Sequence, residues 1–144
     1  MEGERDDLRK HLEFIQIVIE RHARTSFVLK GWSVTLVVAI FLLAVRGPGS
    51  ALTMVVGLFP AAIFWGLDAY YLRQERLYRA LYDHVRRSGV DPSDRFSLDA
   101  RPYQRCVANW LCTLFATSVL WFHLVVVIVA GTLAFFSLRA PHGS

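Results

Sequence analysis

The stretch Phe27-Val28-Leu29-Lys30-Gly31-Trp32 opens an apolar run, FVLKGWSVTLVVAIFLLAV over residues 27–45, that holds a single charge, Lys30. At about 1.5 Å per residue a helix of this length covers about 28 Å, close to the thickness of a bilayer's hydrocarbon core. Residues 46–50, Arg-Gly-Pro-Gly-Ser, follow at once. Glycine and proline together stop a helix, so a short turn is expected there. Residues 51–68, ALTMVVGLFPAAIFWGLD, are apolar again, with Pro60 in the middle and Asp68 at the end. Two apolar runs joined by a five-residue turn read as a helical hairpin of two membrane spans.

The flanks extend this pattern. Leu8, Leu12, Ile15 and Ile19 recur at helical spacing, widened by Phe14 and Val18, and predict an amphipathic helix over 8–24. After Asp68, helical character continues to about Arg87. Glu75, Arg79, Asp83 and Arg87 stand four apart with alternating sign, while Tyr71, Tyr78, Tyr82 and Val85 mark another face. Ser88-Gly89 is a helix stop. The two amphipathic stripes are expected to bury each other. From Tyr103 to Leu138 the only breaker is Gly131, which predicts one long helix.

The resulting fold class is an all-α membrane protein with three transmembrane helices, the first two forming a long antiparallel hairpin that extends into the cytoplasm. Its expected organisation is a cytoplasmic amphipathic helix at 1–26, a first span at 27–45, an external turn at 46–50 and a second span at 51–68. A cytoplasmic helix at 69–88 and a cytoplasmic linker at 89–102 come next. The juxtamembrane amphipathic part of the third helix covers 103–116, the third span 117–138 and an external tail 139–144.

Orientation follows from the basic residues. Fourteen of the sixteen Lys and Arg fall in residues 1–30 or 73–105, leaving Arg46 and Arg139 for the other side. Cytoplasmic segments carry that excess, so the N-terminus is expected inside and the C-terminus outside. Residues 2–7, Glu-Gly-Glu-Arg-Asp-Asp, lack the basic start of a signal peptide. Hydrophobic residues make up 54% of the 144 and charged residues 19%, which departs from a soluble domain toward a membrane protein and excludes a disordered chain. The net charge of +4 is concentrated beside apolar runs, so the bilayer is the expected partner and nucleic acid is not. Cys106 and Cys112, six apart on a helix, are not expected to form a disulfide.

Lys30 and Asp68 lie 18 and 20 residues from Pro48 and are the ionisable residues of the hairpin's spans. The short turn sets them at equal depth, and they are expected to pair. His123 sits inside the third span, where a polar side chain holds helices together or lines a water path. Trp32 and Trp65 read as interfacial anchors. No phosphate loop, Ser/His/Asp set, HExxH or paired acid site is present. The chain is therefore not expected to be an enzyme, to bind a metal or to need a cofactor.

Two blocks carry a family resemblance. They are Ile-Glu-Arg-His-Ala-Arg-Thr-Ser-Phe-Val-Leu-Lys-Gly-Trp from Ile19 to Trp32, and Phe-Trp-Gly-Leu-Asp-Ala-Tyr-Tyr-Leu-Arg-Gln-Glu-Arg within Phe64–Tyr82. The chain resembles a widespread, mostly uncharacterised family of short bacterial three-span inner-membrane proteins. These are similar to membrane effectors and accessory proteins of antiphage systems. Arg79 and His84 also resemble the Arg-x4-His pair of HEPN ribonucleases, although Arg79 already belongs to the charge ladder. The resemblance implies an inner-membrane effector in bacterial defence, with a pore as one form of its action; three mostly apolar spans cannot enclose a water path alone, so a homo-oligomer is expected. The alternative is a non-conducting anchor or accessory subunit that recruits or senses a cytoplasmic protein encoded nearby.

Overall fold

The computed structural model describes residues 2–46, 51–89 and 94–139, and every regular element among them is helical. Helix α1 is Glu2–Arg46, α2 is Ala51–Ser88, a 3-10 helix covers Arg101–Arg105, α3 is Trp110–Leu114 and α4 is Thr117–Arg139. The segments expected at 1–26 and 27–45 thus belong to one helix, as do those at 51–68 and 69–88. The expected turn at 46–50 lies outside the described residues except for Arg46, and the tail at 139–144 except for Arg139, which ends α4. The chain divides into two compact units: Met1–Ser26 with Tyr70–Thr113, and Phe27–Ala69 with Leu114–Ser144.

In the first unit, Ile15 of α1 packs with Leu77, Leu81 and Val85 of α2 and with Ala100. Leu8, Leu12, Ile19, Tyr78, Tyr82, Tyr103 and Val107 surround that core. Of the apolar stripe read on residues 8–24, Leu8, Leu12, Ile15 and Ile19 face this core, while Phe14 is 47% exposed. Within this unit the buried apolar side chains of α2 are Leu77, Leu81 and Val85. Tyr78 and Tyr82 flank them. Fully burying a side chain such as Ile15 stabilises by about 1.5–3 kcal/mol.

Gly89 ends α2. It adopts φ +71°, and its N–H donates to Val85 O at 3.1 Å. That closure satisfies an end carbonyl and needs a left-handed residue, which glycine provides without a Cβ clash. Within the expected linker, residues 94–100 are ordered against α1. Ser97 N–H donates to Asp94 O, and Arg95 contacts Asp7 at 3.2 Å and Glu4 at 4.0 Å. His11 Nε2 lies 2.9 Å from Ser97 O. Phe96 holds φ +64°, costly for an aromatic residue, with its ring 6.0 Å from both His11 and Phe14.

The single helix expected over 103–138 does not form. Pro102 starts the 3-10 turn, which closes through Cys106 N–H to Tyr103 O. Asn109 then caps α3: its Oδ1 accepts Cys112 N–H at 2.8 Å, and its carbonyl accepts both Thr113 N–H and Thr113 Oγ1. An asparagine side chain that bonds the backbone offers the chain a new helix start in place of continuation. A second break follows at residues 115–116, where Ala116 O accepts the N–H groups of Val119 and Leu120 and opens α4. Both cysteines are free and exposed.

In the second unit, large apolar side chains face outward on each helix: Phe27, Trp32 and Leu42 on α1, Phe59 on α2, and Trp121, Ile128 and Phe135 on α4. Among its described residues this unit buries Ala61, Ala69 and Val119 together with Ser33, Asp68 and His123. Among the described residues, Glu2–Leu42 contains the one helical stretch long and apolar enough to cross a membrane, and Thr117–Thr132 is a shorter apolar helix. The core helix of a soluble protein would be mostly buried, whereas only 11% of that stretch's apolar window is buried. Thr35 and Thr132 turn their hydroxyls back onto Gly31 O and Ile128 O, so neither leaves a polar group facing outward unsatisfied.

Candidate functional site

Three helices of the second unit each bring one polar side chain to the same place. On α1, Lys30 and Ser33 are one turn apart on one face. On α2, Asp68 follows Trp65 by one turn. On α4, His123 follows Val119 by one turn. Lys30 Nζ donates to Asp68 Oδ1 at 2.6 Å. His123 Nε2 stands 3.4 Å from Asp68 Oδ2, close enough for a charge contact but without hydrogen-bond alignment. The Asp68 side chain is 1% exposed, that of His123 3% and that of Lys30 23%.

Aromatic rings enclose the cluster. The Phe122 ring lies 5.9 Å from Lys30 Nζ, within the range in which a ring face attracts an ammonium. Trp65 stacks on His123 at 6.0 Å with 21° between planes, and Phe122 meets His123 edge-on at 5.1 Å. Trp65 Nε1 donates to Leu114 O at 3.0 Å. The break before α4 leaves that carbonyl without a continuing helix, and the indole takes it up. The Trp65 indole is thus tied to the α3–α4 break, whereas Trp32 is 57% exposed. The Ser33 hydroxyl is fully buried with no hydrogen-bond partner among the described residues.

The sequence pairing of Lys30 with Asp68 is present as a contact. The convergence of His123 on the same carboxylate was not legible, because nothing in the linear spacing sets the register of α4. Chemically the cluster holds a carboxylate between an ammonium and an imidazole in apolar surroundings. Asp68 is the shared member, so removing it takes the carboxylate from both Lys30 and His123. Among the described residues, no group of three or more His, Cys, Asp or Glu could hold a metal ion.

The Arg79 and His84 pair is directed elsewhere. Arg79 bonds Glu75 Oε1 at 2.8 Å, one rung of the expected ladder, while the His84 ring packs 5.5 Å from that of Tyr103. The next rung differs from expectation: Asp83 contacts Arg86 at 3.4 Å, three residues on. Arg73 donates to Ala108 O at 3.3 Å. His22 of α1 lies between Tyr71 and Tyr78, 5.9 and 5.5 Å away. Burial lowers the His22 pKa from 6.5, the charge of Arg21 adds to that, and Glu75 opposes it. No family model, curated protein or solved structure matches the chain.

Proposed function

We propose that the chain is a three-span inner-membrane protein of bacteria, N-terminus cytoplasmic and C-terminus external, that acts as a homo-oligomeric membrane effector in defence against phage. Its first two spans form the long hairpin read from the sequence. The observation that supports this reading is an apolar exterior around a largely buried charge cluster, to which Lys30, Asp68 and His123 bring one residue from each of three helices. Buried ionisable groups of this kind are expensive in lipid and pair inside the bundle. Three mostly apolar spans cannot enclose a water path in a single copy. Permeabilisation therefore requires several copies, and the polar cluster is what such an assembly would rearrange.

A second reading, a non-conducting anchor that recruits or senses a cytoplasmic protein, is favoured by one observation. The Met1–Ser26 and Tyr70–Thr113 unit has an apolar core of its own, built on Ile15, Leu77, Leu81 and Val85. Native mass spectrometry in nanodiscs, combined with a membrane-potential dye in cells overproducing the chain, separates the two. A discrete oligomer with depolarisation supports the effector. A monomer with unchanged potential overturns it and leaves the anchor.

A further inference from the structure

A cleft of about 400 Å³ opens in the Met1–Ser26 and Tyr70–Thr113 unit. Its wall includes His11, Leu81, His84, Asp94, Asp99 and Tyr103, and contains no lysine or arginine among the described residues. That is notable in a chain with 16 Lys and Arg against 12 Asp and Glu. Pockets of this size hold small molecules, oriented by a few polar groups over an apolar floor.

The polar groups in the wall are mostly acceptors. Asp99 is held by Arg101 through two nitrogens, each at 2.9 Å. Asp94 gives its backbone carbonyl to Ser97 N–H, and its carboxylate forms no ion pair among the described residues. His11 Nε2 faces the carbonyl of Ser97, which can only accept, so Nε2 carries the proton. Nδ1 of the neutral ring is then an acceptor, and it is buried with no hydrogen bond. A buried acceptor left open in the wall of a cleft calls for a donor. Tyr103 contributes an aromatic face with His84 beside it. Burial raises the Tyr103 phenol above its usual pKa, and the neighbouring Cys106 and Asp94 add to the effect.

We propose that this cleft binds a small organic cation, a primary ammonium on a short aliphatic body. The ammonium sits between the Asp94 carboxylate and the Tyr103 ring, and the aliphatic part lies on Leu81. Carboxylate and aromatic face both favour a cation, while the absence of lysine and arginine disfavours phosphate or carboxylate ligands. A bare divalent ion is poorly served, because no three-ligand group converges there among the described residues. The inference stands independently of the membrane reading.

The test is titration of the full chain in nanodiscs with putrescine at low ionic strength, followed by NMR of the histidine and tyrosine ring signals. Saturable shifts of His84 and Tyr103 are expected. Asp94→Asn should weaken the apparent affinity about tenfold or more. Asp83→Asn, which alters a carboxylate outside the wall, should leave it unchanged. Added salt should weaken binding, as for any partly exposed charge pair. Asp94 is exposed, so its amide variant keeps the fold, which circular dichroism checks. No saturable shift up to about 10 mM putrescine would overturn the proposal, as would equal affinity in Asp94→Asn. Saturation by magnesium chloride in place of putrescine would overturn it as well.

Discussion

Lys30 and Asp68, separated by 38 positions in the chain, meet with Nζ 2.6 Å from Oδ1. Breaking a buried ion pair from one side leaves an uncompensated charge and costs about 3–5 kcal/mol. Lys30→Ala or Asp68→Ala alone should therefore lower stability strongly. The double exchange, Lys30→Asp with Asp68→Lys, restores opposite charges across the same gap and should lose less than either. Denaturation in mild detergent checks this, and a loss from the exchange equal to that of the single variants would sink the pairing.

Trp65→Phe tests the bond that meets the break before α4. The ring is kept, but Leu114 O loses the indole N–H. The expected cost is about 1–3 kcal/mol, the price of a buried acceptor left unmet. Hydrogen exchange at Val119 and Leu120, whose amides bond Ala116 O, should quicken. Unchanged exchange at both amides would show that the indole does not hold the start of α4.

Ile15→Ala should destabilise the first unit by about 2–5 kcal/mol, since Ile15 is fully buried in its core. Phe14→Ala, at a side chain 47% exposed, should cost less than about 1 kcal/mol. Chemical denaturation of the two variants side by side reads the difference. Equal losses would place the core on the wrong face of α1.

His22 makes stability depend on pH. Its folded pKa lies below 6.5, with burial as the main cause, so the unfolded chain binds the proton more readily. The stability held by neutral His22 is complete above 6.5 and is lost as pH falls from there through the lower, folded value. The melting temperature should drop between neutral and mildly acidic pH, and His22→Gln should flatten that drop. An unaltered pH profile in the variant would remove His22 as its source.

The parts legible in the sequence were those fixed by local periodicity. Leu8, Leu12, Ile15 and Ile19 share a helix face in any context. On α2, Tyr78 and Tyr82 were read as the seam while Leu77 and Leu81 occupy its centre. The two pairs are one residue apart on a broad apolar face, and only the partner helix chooses between them. The breaks at 106–109 and 115–116 carry no glycine or proline. Asn109 makes the first by bonding Cys112 N–H, and at the second Trp65 binds the carbonyl of Leu114 from 49 positions away. Long-range donors of that kind leave no trace in spacing. The meeting of His123 with Asp68 was hidden for the same reason.

The stacking of Trp65 on His123 gives the molecule a built-in optical probe. An indole in van der Waals reach of an imidazole changes its emission when that ring moves or alters its state. Trp32 and Trp121, 57% and 63% exposed, instead report the polarity of whatever surrounds the outer surface. Single-tryptophan versions of the chain would thus let the interior of the charge cluster and its surroundings be watched separately, in the same sample, without a label.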